Sequence, residues 1–208
     1  MHWTQVFVAL TLAVYLGAFV FALAAVRRST GESSLGQAQG HPLEKLAGVV
    51  ASVVLLVTGI AYAVDRDSVN WFGRIHWLDG ATVRGAGVAA CVLAGVLLIW
   101  GEVSLGRALR VALPDRSEPL VTNGIYRWMR NPLALSVDLL SLGLLCVAPS
   151  WLAAAGFALS VFAYELKIRV EERYLREAHG TTYAAYCART GRYLPRLINR
   201  EVTQRNPQ

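Results

Sequence analysis

Apolar windows alternate with short charged segments along this chain, five times over. The windows run roughly Val6 to Val26, Leu43 to Val64, Gly85 to Trp100, Leu133 to Ala148 and Trp151 to Tyr164. Uninterrupted apolar helix of this order of length spans the ~30 Å hydrocarbon core of a bilayer. The pattern therefore predicts an all-α, polytopic integral membrane protein with about five transmembrane helices. Its last two spans are separated only by Pro149 and Ser150, so they form a tight helical hairpin whose two outer ends return to one side. The fourth window is short, and is either tilted or sheltered within protein.

The segments between windows carry their own signals. Arg27 to His41 is rich in Gly, Ser and Gln and reads as a loop. Pro42 is well placed to open the second helix. Asp65 to Arg84 holds Trp71, Phe72 and Trp77, aromatics suited to the headgroup level. The third window can continue as helix to Ala112. Beyond Glu165 the chain reads as a helix leaving the membrane, a break at Gly180, a short helix, and an irregular end from Asn199. Ala22-Leu23-Ala24 imitates a signal-peptidase site. The start lacks a positive n-region and the apolar run is long, so a retained helix is expected. Gly87, Cys91 and Gly95 recur every four residues, as do Gly48 and Ser52, a spacing that permits close helix contact in lipid but also arises by chance in a Gly- and Ala-rich chain. The organisation expected is a three-helix membrane region over 1–112, a hairpin-bearing region over 113–198 and an irregular tail over 199–208.

Composition agrees with the pattern. Hydrophobic residues make up 55% of the 208 and charged residues 16%, against about 25% charged in a soluble domain. The net charge of +6 lies in loops beside apolar spans, which fits anionic lipid and topology control rather than nucleic acid. Lys and Arg distribute 17 to 3 between the two sides of a five-span chain. That predicts an outer N-terminus and a cytoplasmic C-terminus. The excess of Arg over Lys points to a GC-rich bacterial genome and so to a bacterial inner membrane. Cys91, Cys146 and Cys187 are odd in number and widely spaced, which argues against a disulfide framework. His2, His41, His76 and His179 are scattered, so no metal site is expected.

Two polar clusters carry the candidate chemistry. The first is Leu120-Val121-Thr122-Asn123-Gly124-Ile125-Tyr126-Arg127-Trp128-Met129-Arg130-Asn131-Pro132, just ahead of the fourth span. Asn123-Gly124 signals a turn. Tyr126 and Arg130 would share a face if the segment were helical. Pro132 opens a helix whose free N–H groups favour an anion. Read by residue chemistry alone, the segment is either an interfacial turn with Arg130 snorkelling to phosphates or one wall of a site. The second cluster, Lys167-Ile168-Arg169-Val170-Glu171-Glu172, sits at the end of the last span. Adjacent Glu171 and Glu172 cannot point the same way, so at most one faces a site. Asp138, about two turns into the fourth span, should face the protein interior, since an unpaired acid in lipid is costly. There is no dinucleotide fingerprint, Walker loop or H-E-x-x-H.

The order L-V-T-x-G-x-Y-x-x-x-R-[HN]-P, followed by Glu171-Glu172, Leu175, Gly180, Tyr183, Tyr186, Arg192 and Leu194-Pro195, resembles the isoprenylcysteine carboxyl methyltransferase family. Its wider group includes the membrane phospholipid N-methyltransferases. The resemblance covers roughly 118–197. It implies a membrane methyltransferase using S-adenosylmethionine, held on the cytoplasmic side, with a lipophilic small-molecule acceptor arriving from the surrounding membrane lipids. It also implies that Leu120, Val121 and Tyr126 line the cofactor pocket, that Asn131 and Pro132 contact the cofactor, and that Glu171 holds its amino group. Arg130 would pair with the cofactor carboxylate or with Glu171, and Lys167 would face the acceptor. Two positions depart from the family. Asn131 stands where His is commonest, so no titrating base is available there, and Ala134 replaces a frequent aromatic. Two other readings remain beside this one: a nicotinamide-dependent membrane reductase of the sterol reductase type, and a non-enzymatic helical membrane protein.

Overall fold

The computed structural model describes residues 2–30, 42–105 and 120–196, all of it helix, turn and short connections. Six α-helices follow in order: α1 Trp3–Thr30, α2 Pro42–Val64, the four-residue α3 Ser68–Trp71, α4 Ala81–Leu105, α5 Pro132–Val147 and α6 Trp151–Arg189. α1, α2, α4 and α6 are long and apolar enough to cross a membrane, and α5 is a shorter apolar helix. The protein is an integral membrane protein of all-α class. α1 keeps its helical geometry to Thr30, past the loop start expected at Arg27. The remainder of that loop, the continuation of α4 toward Ala112 and the tail from Asn199 lie outside the described residues.

The length of α5 is explained by its surroundings. Sixteen residues rise ~24 Å, less than the ~30 Å apolar thickness. Ala134, Ser136, Leu140, Ser141, Gly143, Leu144, Leu145 and Val147 are buried along it, between α4 and α6. Shelter by protein, the second of the two alternatives, is what the packing provides.

Small residues bring α4 and α5 together. A methyl group on Gly143 would lie 2.5 Å from Cys91 Sγ and 2.8 Å from the Gly87 carbonyl oxygen; one on Gly87 would lie 2.7 Å from the Gly143 carbonyl oxygen. Of the small-residue pattern, Gly87 and Cys91 therefore make a close contact. Gly95 and Gly48 have nothing within 4 Å of the corresponding position. The spacing is helical, but only one face of α4 meets α5.

The other helices complete one core. Val8 and Leu12 of α1 pack with Tyr62, Cys91, Ala94, Leu140, Leu144 and Val147. The Thr4 and Tyr62 hydroxyls are hydrogen-bonded at 2.9 Å, and the Tyr15 hydroxyl donates to the Ser136 carbonyl at 3.2 Å. Asp138 faces inward as expected: the buried Ser160 hydroxyl of α6 donates to its carboxylate at 3.3 Å. An acid at this depth is tolerated only with such a partner.

The two ends of the bundle differ. At one end the loop after α3 is stitched to the hairpin tip. Ile75 N–H donates to the Pro149 carbonyl at 3.0 Å, and Trp151 N–H donates to the Gly73 carbonyl at 2.9 Å. Ser150 caps α6 by accepting from Ala153 N–H at 3.2 Å. The polar turn 120–131 and the charged half of α6 lie at the opposite end. Six tryptophans mark these levels: Trp3, Trp71, Trp77 and Trp151 at the first end, Trp100 and Trp128 at the second, all exposed. Trp at both interfaces is the usual signature of the headgroup layers. α6 itself rises ~58 Å over its 39 residues, far more than one crossing needs. Its charged half projects beyond the bilayer and bends at Gly180, where φ is +49°.

Replacing Gly87 or Gly143 by Ala should destabilise the purified protein by about 1–3 kcal/mol, the usual effect of overpacking. Gly95→Ala should leave it unchanged. Thermal unfolding in one detergent checks both, and equal Tm values for all three variants would refute the α4–α5 contact.

Candidate active site at the base of the hairpin

The turn ahead of α5 is shaped by the end of α4. Gly124 adopts φ +56°, and a side chain there would collide with Ser104. The Ser104 hydroxyl accepts the Ile125 N–H at 3.2 Å. Val121, Leu97, Ile125, Tyr126 and Met129 then pack into a small apolar cluster. Gly124–Arg127 is a single 3-10 turn. The helical relation expected between Tyr126 and Arg130 does not form, because the helix stops at Arg127.

What joins these two residues is the end of α6 and the chain beyond it. The Tyr186 hydroxyl donates to the Tyr126 carbonyl at 2.7 Å. Arg130 N–H donates to the Gly191 carbonyl at 2.9 Å and Asn131 N–H to the Arg192 carbonyl at 3.2 Å. The Asn131 side-chain amide donates to the same Arg192 carbonyl at 3.3 Å. The tail thus runs beside the turn as a short extended pair.

The charges settle the direction of the acidic pair. Arg130 donates to Glu172 from Nε at 3.3 Å and from a terminal nitrogen at 3.2 Å. Its other terminal nitrogen donates to the Thr190 carbonyl at 2.6 Å and to the Cys187 carbonyl at 3.4 Å. Glu172 also lies 3.5 Å from Arg192 Nε. Arg192 in turn reaches Glu165 at 3.0 Å, where Tyr193 donates at 2.9 Å and Arg169 at 2.9 Å. Arg130 was expected to pair with the cofactor carboxylate or with Glu171; the protein carboxylate it takes is Glu172. One residue along a helix turns the side chain by ~100°, so only one of two neighbours can meet the turn.

Glu171 faces elsewhere. It pairs with Lys167, one turn earlier, at 3.7 Å, and about 40% of each side chain is exposed. Lys167 Nζ lies 5.8 Å from the centre of the Tyr164 ring. The hydroxyl of Tyr126 is held well above its ordinary pKa, first by burial and then by the negative charges of Glu171 and Glu102. Tyr126 is therefore held as a neutral phenol. At the start of α5, Pro132 is buried in the first helical position, and the preceding Asn131 makes no side-chain cap. Leu120 leads into the turn and is partly buried.

The structure thus brings Leu120, Val121, Tyr126, Arg130, Asn131 and Pro132 to the same end of the bundle as Lys167 and Glu171. Sequence reasoning missed Glu102, Ser104 and Thr190. An acid inside an otherwise apolar helix was the available signal for Glu102, but the third window was ended at Trp100. Nothing in the sequence marks a backbone carbonyl such as that of Thr190.

Residues 83–182 match the family model of phospholipid methyltransferases, just under half of the chain. Through this region the chain is similar to the phospholipid methyltransferase family. No curated protein matches the chain. The matched region of this methyltransferase family runs from the first turn of α4 to just past the Gly180 bend, so it contains both polar clusters and Glu102. The match makes this part of the chain similar to integral-membrane methyltransferases, and Arg192 and its neighbours lie beyond the matched region.

Glu172→Gln should cost on the order of 3 kcal/mol, because it leaves two arginines facing a neutral group in a site only 12–14% exposed at the Arg130–Glu172 pair. Glu171→Gln should cost less than about 1 kcal/mol, as an exposed pair does. Unfolding midpoints of the two variants in detergent check the ranking, and a larger loss at Glu171 would reverse the assignment.

Proposed function

We propose that this protein transfers a methyl group from S-adenosylmethionine to a lipophilic small-molecule acceptor drawn from the membrane. The observation that carries the reading is the division of labour in the acidic pair. Glu172 is held by Arg130 and Arg192, while Glu171 stands outside that clamp, in a long, half-exposed contact with Lys167, and its charge acts on the Tyr126 hydroxyl.

The residues present fit the donor. Glu171 matches its ammonium group. The uncapped N–H groups at the start of α5 match its carboxylate, as helix N-termini do for anions generally. Leu120, Val121 and Tyr126 supply an apolar wall, and Asn131 and Pro132 form the corner where wall and helix meet. When bound, the donor supplies an electrophilic methyl on a sulfonium. Arg130 works as a positioning residue, locking the turn to α6 and to the tail. Lys167 faces the acceptor and steers its head. Such a transfer is an in-line displacement in which alignment accounts for much of the rate. Asn131 cannot titrate near neutrality, so this corner positions and does not act as a base. The nucleophile on the acceptor is oxygen, nitrogen or sulfur. The site faces the cytoplasm of a bacterial inner membrane in this reading, because Lys and Arg concentrate on the side that carries it.

Isothermal titration of S-adenosylmethionine into the detergent-purified protein should give saturable one-site binding. Glu171→Ala should weaken it at least tenfold without lowering Tm. No binding by the unmodified protein, or binding unaffected by Glu171→Ala, would reject the proposal. A cytoplasm-dependent reporter fused after Gln208 should be active, and activity only in a fusion to the N-terminus would reverse the topology.

A further inference from the structure

A second carboxylate faces the site from α4, and it has no role in the network above. Glu102 lies one turn from the end of α4 as described, in a helix whose neighbouring Ile99, Trp100 and Val103 are exposed as lipid-facing residues are. Glu102 itself is half-buried. It follows Gly101, against which Leu133 and Pro132 pack so closely that a methyl group there would lie 2.7 Å from Leu133. Two residues on, Ser104 holds the Gly124–Arg127 turn. Glu102 thus lies on α4 between the residue that meets the start of α5 and the residue that holds the Tyr126 turn, and its charge acts on the Tyr126 hydroxyl from α4 as that of Glu171 does from α6. Among the described residues it has neither an ion pair nor a hydrogen bond. An acid at the membrane end of an apolar helix is expensive, and its presence there marks a candidate functional position.

We infer that Glu102 is a catalytic residue on the acceptor side of the site, which binds an acceptor whose nucleophile carries a proton and takes that proton during transfer. This rests on the methyltransferase reading above and deepens it. The acceptor class is an amine or phenol with an apolar body. A carboxylate acceptor would meet like charge from Glu102 and would need no base. The acceptor's lone pair forms the bond to the methyl carbon. The carbon–sulfur bond breaks with its electron pair passing to sulfur, which leaves as a neutral thioether. The acceptor's proton passes to the Glu102 carboxylate and from there to water. General-base help of this kind contributes typically about 10²–10⁴-fold. The groups facing Glu102 are the Tyr126 hydroxyl from the turn and, across it, Glu171 from α6 with its partner Lys167. From α5 the residues packed beside it are Pro132 and Leu133, which do not titrate.

The test compares the unmodified protein with Glu102→Gln and Glu102→Asp in native membranes. Methyl-labelled S-adenosylmethionine is the probe, and label entering the organic extract is counted from pH 6 to 9. Cofactor binding to the purified variants is measured in parallel. The expected result is unchanged cofactor binding and at least tenfold slower labelling by Glu102→Gln at neutral pH. The deficit should shrink toward pH 9, where solvent removes the acceptor's proton, and Glu102→Asp should recover part of the rate. Dicyclohexylcarbodiimide, which modifies protonated carboxyls in apolar surroundings, supplies a readout independent of the donor. Modification of Glu102, read by mass spectrometry, should fade over the pH range in which labelling rises. Labelling by Glu102→Gln equal to the unmodified protein overturns the inference and leaves the methyltransferase reading standing. So does loss of cofactor binding in Glu102→Gln, which would place Glu102 with the donor. Absence of cofactor binding in the unmodified protein overturns both.

Discussion

The carboxylate of Glu172, held between Arg130 and Arg192, is the contact on which the architecture at the site end of the bundle depends. It ties together three stretches far apart in sequence: the turn before α5, the charged half of α6 and the strand-like tail. The turn adds a small apolar cluster of its own, but the charged half of α6 and the tail are fixed to it by polar contacts. A charge-assisted, two-nitrogen contact of arginine on carboxylate is both directional and strong where water is scarce. The backbone pairing of Arg130 and Asn131 with Gly191 and Arg192 runs parallel to it. Ion pair and backbone pairing therefore enforce the same register.

That clamp needs a rigid base, and the hairpin provides it. α5 is too short to cross a bilayer unaided, so it is embedded between α4 and α6 and brought close to α4 by Gly87, Cys91 and Gly143. In lipid there is no hydrophobic drive to associate helices, so close van der Waals approach of small residues takes its place. The far end of the hairpin is closed by backbone bonds to the loop after α3. With both ends fixed, the start of α5 and the acidic pair of α6 stand side by side.

The chemistry then follows from an asymmetry between neighbours. Glu171 and Glu172 have the same side chain, but the helix sends one into the clamp and leaves the other toward Tyr126 and Lys167. The charges of Glu171 and Glu102 both act on the buried Tyr126 hydroxyl and raise its pKa. In the proposed reading, Glu171 serves the methyl donor and Glu102 the acceptor.

Much of this was written in the order of residues. Apolar periodicity set five helices and the hairpin, because backbone hydrogen bonds must be satisfied within each segment in lipid. The inward side of Asp138 and the turn at Asn123-Gly124 followed from the cost of unpaired charge and from local backbone preference. The polar run 120–132 and the acidic pair were visible as ionisable groups beside apolar spans. The partner of Arg130 was not, because it depends on which way one helix is rotated about its axis when it packs. Glu102 entered the site for the same reason, through the approach of α4 to the turn. Nor did spacing separate Gly87, which touches α5, from Gly95, which touches nothing. Sequence patterns specify helices and their depth through local, one-dimensional energetics. Which faces meet is decided only when all helices compete for the same contacts in space.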